Sequence, residues 1–279
     1  MENRNIIKER KAVAGVIEAL LLVALVSIII STIQLVYIPQ IMEQRESDHM
    51  QDVENQFAHL KSVIDIQCMI GEDVPITSPI TLGSREIPYF VTAKAFGELS
   101  IVDDAGGIST DFGGGGTTNI TLTSIKYQAY NSYFVDQTYV LEGGAVILKQ
   151  HDGESMVIEP DIDISSPSSG KIDISCNLTY IVGVSGKNTT NGYKNRFIRT
   201  NYSCSGNAYT VTPISKHIRV YTEYVDSWYD FFNESSLGEN AYVNKTSNYV
   251  QIQEKGSTGI GISIAKITIY AQIGPGWII

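Results

Sequence analysis

Ala12 to Ile38 reads AVAGVIEALLLVALVSIIISTIQLVYI, and this stretch decides the fold. Glu18 is its one charged residue. As a helix its 27 residues rise roughly 40 Å, enough to cross a bilayer with some tilt. A secretory signal peptide has a shorter apolar core, about 7–15 residues, followed by a small-residue cleavage site. Here the apolar run continues into IPQIMEQRES, so the segment is predicted to be retained.

Charge on either side sets the orientation. Residues 1–11 carry Arg4, Lys8, Arg10 and Lys11 against Glu2 and Glu9. Residues 39–50 carry Arg45 against Glu43, Glu46 and Asp48. The positive-inside rule then puts the amino terminus in the cytoplasm and residues 39–279 outside, in a single pass through the cell membrane. Beyond Pro39, Met50, Val53, Phe57, Leu60 and Ile64 recur at steps of three and four, which predicts an amphipathic helix ending near Met69, ahead of Gly71. Two readings stay open: one helix bent at Pro39, or two helices broken there.

From residue 70 onward, short runs rich in Val, Ile, Tyr and Thr alternate with Gly, Pro, Asn and Ser. Strands are predicted at 87–93, 98–102, 119–128, 133–141, 145–150, 171–183, 208–214, 217–224, 248–253 and 259–273. Glu142-Gly143-Gly144 and His151-Asp152-Gly153 read as hairpin turns, and Gly113–Gly116 as a slack connector. Ile260, Ile262 and Ile264 share one parity and Ile267, Ile269, Ala271 and Ile273 the other, so a bulge at Ala265–Lys266 is predicted to keep both sets on one face. EYVDSWYDFFNESSL (223–237) reads as one short helix capped by Thr222 or Asp226, with Val225, Trp228, Tyr229 and Phe232 facing a core.

The fold class expected is α+β: a long N-terminal transmembrane and amphipathic helix, then a mainly antiparallel β domain, sandwich or curled sheet, with one short helix. Its divisions are 1–12, a basic leader; 13–38, the transmembrane helix; 39–69, an amphipathic helix continuing the anchor; and 70–279, an extracellular β-rich domain.

Function classes narrow by exclusion. The 279-residue chain has a formal charge of −10, which disfavours a nucleic-acid partner. Three cysteines and four scattered histidines offer no metal-ligand spacing, and His49 with Asp52 or Glu46 reads as a solvated helix face. No zinc-protease motif, nucleophile elbow, P-loop or dinucleotide fingerprint occurs, so neither an enzyme nor a cofactor is expected. Six Asn-X-Ser/Thr sequons, at Asn119, Asn177, Asn188, Asn201, Asn233 and Asn244, all follow the apolar segment and are candidate glycosylation sites. Cys176 and Cys204 are candidates for a disulfide outside the cell, leaving Cys68 as a free thiol.

Arg10-Lys11-Ala12 followed by Val13-Ala14-Gly15-Val16-Ile17 resembles the amino terminus of archaeal type IV pilin-like surface proteins. That family shows one or two basic residues, Ala or Gly, then Val-Ser-Pro-Val-Ile-Gly and an apolar helix. Ala14, Gly15 and Glu18 stand where the pattern has Ser, Pro and Gly. The resemblance implies a class III signal peptide, with a prepilin peptidase as partner cutting after Ala12 to leave Val13 as the new terminus. It also implies a role for Glu18 in assembly with other pilin-like subunits. The function expected is a membrane-anchored cell-surface protein, a subunit or minor component of a type IV pilus-like filament. The alternative is a single-pass envelope protein that binds or adheres without polymerising.

Overall fold

A helix occupies the first quarter of the chain, and its regularity comes from sequence with no breaker before Pro39. α1 (Glu2–Thr32) passes through one π-helical turn (Ile33–Tyr37) into α2 (Ile38–Ile70). The computed structural model describes residues 2–84, 95–112, 117–165, 172–235, 237, 240–256 and 259–274, the side chains of 2–13, 111–112, 117–118 and 204–216 excepted. The π turn answers Pro39. A proline ring inside an α-helix collides with the carbonyl four residues back, here Leu35. Widening that turn moves the carbonyl away, and Ile38 N–H bonds Ile33 O instead. The helix therefore continues through Pro39 without a break. It stops at Gly71, whose φ of 67° takes the left-handed cap and whose N–H bonds Gln67 O.

Among the described residues thirteen strands follow: β1 (Ile76–Thr81), β2 (Phe96–Phe112), β3 (Thr117–Tyr130), β4 (Thr138–Glu142), β5 (Ala145–Gln150), β6 (Gly153–Ile158), β7 (Ile162–Ser165), β8 (Ile172–Gly183), β9 (Thr189–Gly192), β10 (Asn195–Thr222), β11 (Ala241–Lys245), β12 (Tyr249–Glu254) and β13 (Ile260–Ile273). α3 (Val225–Glu234) lies between β10 and β11. The sheet order is β6-β5-β4-β3-β2-β10-β13-β8-β7, with β1 and then β12 on β10, β11 on β12, and β9 on β2. Among the described strands the pairings are antiparallel except β8 with β13. Because β9 follows β8 yet pairs with β2, the sheet curls back on itself.

The expected run at 87–93 and the Gly113–Gly116 connector lie outside the described residues. Residues 133–137, expected within a strand, lie instead in the loop between β3 and β4. β1 lies outside the predicted runs and contains Pro79, a residue that cannot donate to a ladder. It is tolerated where β1 pairs through a single edge, with β10. The Gly143–Gly144 turn has φ of 58° and 86°, the geometry of a two-residue hairpin turn.

Two cores lie on opposite faces of this sheet. On β5, Ala145 and Ile147 face one core and Val146 the other. The core nearer the helix is built on Val53, Phe57, Leu60 and Ile64 against Leu99, Ile125, Tyr127, Ile198 and Ile269. The far core gathers Ile120, Leu122, Ile174, Leu178, Ile262 and Ile264 under Trp228 and Phe232 of α3. This corrects the bulge expected at Ala265–Lys266. β13 runs in unbroken register along β8 from Ile260↔Ile172 to Ala271↔Gly183. Its parity switch is a change of face: Ile260, Ile262 and Ile264 enter the far core, Ile269, Ala271 and Ile273 the near one. The irregularity sits in β10, where Ser205 pairs Ile267 but Ala208 pairs Ala265.

Candidate functional site: the bare helix and its collar

From Ala14 to Tyr37 every helix residue is exposed, and none of the apolar window is buried. These 24 residues span about 36 Å, against roughly 30 Å of bilayer hydrocarbon. The helix is long and apolar enough to cross a membrane. Two of its hydroxyls bond back to the helix itself: Ser27 Oγ donates to Val23 O at 2.8 Å and Thr32 Oγ1 to Ile28 O at 2.9 Å. Glu18 lies in this bare stretch and is exposed. Arg10, Lys11, Ala12 and Val13 lie in the first turns of α1, and their side chains are outside the described set.

Burial begins abruptly at Ile38 and continues through Met42, Glu46, His49, Met50 and Val53. Spacings of three and four put these on one stripe, so the β domain covers α2 from its first turn. Polar side chains lock this packing. Glu46 is fully buried, and its carboxylate accepts the N–H groups of Ser132 (3.1 Å), Tyr133 (2.7 Å) and Phe134 (2.8 Å). A carboxylate on an apolar stripe was the sequence signal for this contact, and it was missed.

His49 is likewise buried, not solvated as expected. Tyr127 donates its hydroxyl proton to Leu82 O at 3.0 Å, so His49 Nε2, 3.1 Å away, is the donor to Tyr127 Oη. Burial lowers the His49 pKa, with Asp52 and Glu46 opposing. Farther along, Glu54 accepts from Tyr139 Oη, Gln56 bonds both the backbone and the side chain of Thr81, and Gln67 donates to Val74 O and Thr200 O.

A second buried carboxylate, Glu142, lies under α3. Its Oε1 accepts Thr222 Oγ1 at 2.7 Å and Trp228 Nε1 at 3.2 Å, while Oε2 has no partner. Burial pushes this carboxyl up to about 7, and the two hydrogen bonds pull it partly back. The α3 cap also differs from expectation. Glu154 of β6 accepts the N–H groups of Asp226 and Ser227, and Thr222 Oγ1 accepts that of Tyr224.

The cysteines expected to pair are kept apart. Cys176 is a free, buried thiol, pushed up to about 12 by that burial. Cys204 pairs with Thr268, which pairs with Tyr180, four residues along β8 from Cys176. Two strand spacings and four residues put the two roughly 16 Å apart, beyond disulfide reach. Cys68 is half-buried and free, its thiol pushed up to about 11 by burial.

The sequons divide. Asn119, Asn177, Asn233 and Asn244 are exposed and Asn188 is half-buried. Asn201 is buried, with its amide bound to Asp73, which leaves no room for a glycan there in the folded domain. Two of the exposed sequons end a single cross-strand row, Asn119–Ser109–Arg219–Gln251–Asn244, which crosses β3, β2, β10, β12 and β11. Arg219 Nε donates to Gln251 Oε1 at 2.9 Å, and the rings of Tyr221 and Tyr249 lie beside the row with centroids 5.2 Å apart. A shallow groove runs over Gly106 and Gly107 between Asn119 and Tyr221.

Among the described residues no group of three His, Cys, Asp or Glu side chains is placed to hold a metal. No family model, curated protein or solved structure matches the chain.

Proposed function

We propose that this is a pilin-like cell-surface protein, a subunit or minor component of a type IV pilus-like filament. Its role is structural, not catalytic. In this reading a prepilin peptidase removes residues 1–12, the new amino terminus at Val13 starts on the cytoplasmic side, and the β domain stands outside carrying glycans on exposed sequons. The observation that carries the reading is the boundary at Ile38. An apolar helix bare on all sides is held rigidly by a domain that covers only its other half. Such a helix has two ways to leave water: lipid, or the helices of neighbouring copies. After processing, the free amino group of Val13 is the cation nearest in sequence to Glu18, and a neighbouring copy can supply the same group. Sequencing the mature protein tests processing: a chain starting at Met1 removes it. Glu18→Ala then tests assembly, since breaking a desolvated ion pair costs about 3–5 kcal/mol. Filament recovery from sheared cells should fall sharply while membrane insertion stays intact.

The non-polymerising adhesion reading has its own support in the outer row. A tyrosine pair beside amide and guanidinium groups suits sugar rings, whose C–H faces pack on aromatic rings while their hydroxyls bond polar side chains. Under that reading Glu18→Ala leaves surface display unchanged, and the protein extracts as a detergent-soluble monomer.

A further inference from the structure

We propose that the foot of the β domain rests on the outer surface of the bilayer, and that the loop between β3 and β4 is its lipid-contacting element. This depends on the membrane-anchor reading above and says which surface of the domain meets the lipid headgroups.

The helix fixes the membrane's position relative to the domain. Residues 14–37 are bare and burial starts at Ile38, so no stalk separates the apolar span from the domain. Glu46 stands eight residues beyond Ile38, roughly 12 Å along the axis, and the headgroup layer occupies about 5–7 Å of that distance.

The loop beside Glu46 is the foot of the hairpin. Descending the helix from Phe57 to His49 to Glu46 follows β3 downward through Tyr127 to Tyr130 and into residues 132–134. At this lowest level Phe96 and Tyr130 stack with ring centroids 4.7 Å apart, and Phe96 is 46% exposed. At the loop tip Tyr133 is 38% and Val135 49% exposed. Tyr37, at the end of the bare span, is exposed as well. Tyrosines at the edge of an apolar span are the residues that favour the headgroup layer, where the ring is buried and the hydroxyl stays wet.

The loop is also stiff in a way a slack connector need not be. Asn131 closes it, donating its N–H to Asp136 Oδ1 at 2.7 Å and its Nδ2 to Val135 O at 2.8 Å. The Glu46 carboxylate then fastens three successive N–H groups of the loop to the helix itself. A loop pinned to the membrane helix, with an apolar and aromatic tip, holds the domain at one height and tilt on the bilayer.

The test uses the full chain in phosphatidylcholine nanodiscs with brominated acyl chains. Tyr133→Trp is the reporter, Val135→Trp a second reporter should the first fail to fold, and Tyr242→Trp on β11 the distal control. The signal of native Trp228 and Trp277 is subtracted using the unsubstituted chain. Quenching of the loop tryptophan about twofold or more beyond the control supports the proposal. Incorporation into nanodiscs with loop and control quenched alike overturns it. A blue-shifted but unquenched loop tryptophan also overturns it and points to a second copy of the chain. Failure of the unsubstituted chain to enter nanodiscs sinks the anchor reading itself, and the proposal with it.

Discussion

Trp228 Nε1 donates to Glu142 Oε1 across 3.2 Å, joining α3 to the β4–β5 hairpin through a carboxylate with no exposed surface. Burial raises that carboxyl from 4.5 to about 7; Thr222 and Trp228 oppose the rise, and Glu223 and Glu154 add to it. The folded chain therefore holds the proton more tightly than the unfolded chain. Below about pH 4.5 both states are protonated and the group costs nothing; between there and pH 7 stability falls as pH rises. At about 1.4 kcal/mol per unit, the loss approaches roughly 3 kcal/mol. Glu142→Gln should flatten this slope, leaving the variant more stable than the unsubstituted protein at pH 8 and similar to it at pH 5. Thermal melts followed by Trp228 fluorescence across that range check it; an unchanged slope assigns the pH dependence elsewhere.

Glu46→Ala removes the acceptor of three loop N–H groups, at about 1–3 kcal/mol for one that stays shielded and less for those that reach water. The expected loss is about 2–4 kcal/mol in denaturant unfolding. Amide exchange at Ser132, Tyr133 and Phe134 should accelerate by orders of magnitude more than at β13. Protection that survives the substitution would mean the loop is held by packing alone.

Gly106→Ala should be severely destabilising. A Cβ at Gly106 would collide with Tyr221 O, at a φ of 151° that side chains rarely adopt. It would force β2 and β10 apart where Gly106 pairs Thr222. Gly153→Ala meets nothing within 4 Å and serves as the neutral control. Equal soluble yields for the two variants would contradict this pairing.

The sheet register makes a redox prediction. Reductant should leave the melting temperature unchanged, and thiol counting in denaturant without reductant should find no Cys176–Cys204 bridge. A bridged peptide in a non-reducing digest would require β10 to shift past β13. Glycopeptide mapping of the native protein should find Asn201 unmodified whatever the occupancy of the exposed sequons; a glycan there would mean it does not pack as described.

The elements readable in advance are those governed by neighbours in sequence. Ala12–Ile38 is apolar without interruption, and Met50, Val53, Phe57, Leu60 and Ile64 repeat at helical spacing, so both announce themselves within a few turns. β5, β8, β12 and β13 fall within a residue or so of the predicted runs because their alternation is local. β6, β9 and β11 were missed: each is short, and none of them carries a run of alternating apolar residues.

The sequence by itself determined an apolar helix long enough for a membrane, an amphipathic continuation and a β-rich domain with a short aromatic helix. Only the tertiary structure decided which face each strand buries, since alternation marks two faces without saying what covers them. The parity switch in β13 looked like a bulge until both faces proved to be cores. Glu46 and Glu142 meet partners more than 80 residues away, at Tyr133 and Trp228. Such contacts are set by how the sheet curls, and a carboxylate's neighbours in the chain carry no record of the N–H groups that folding brings to it.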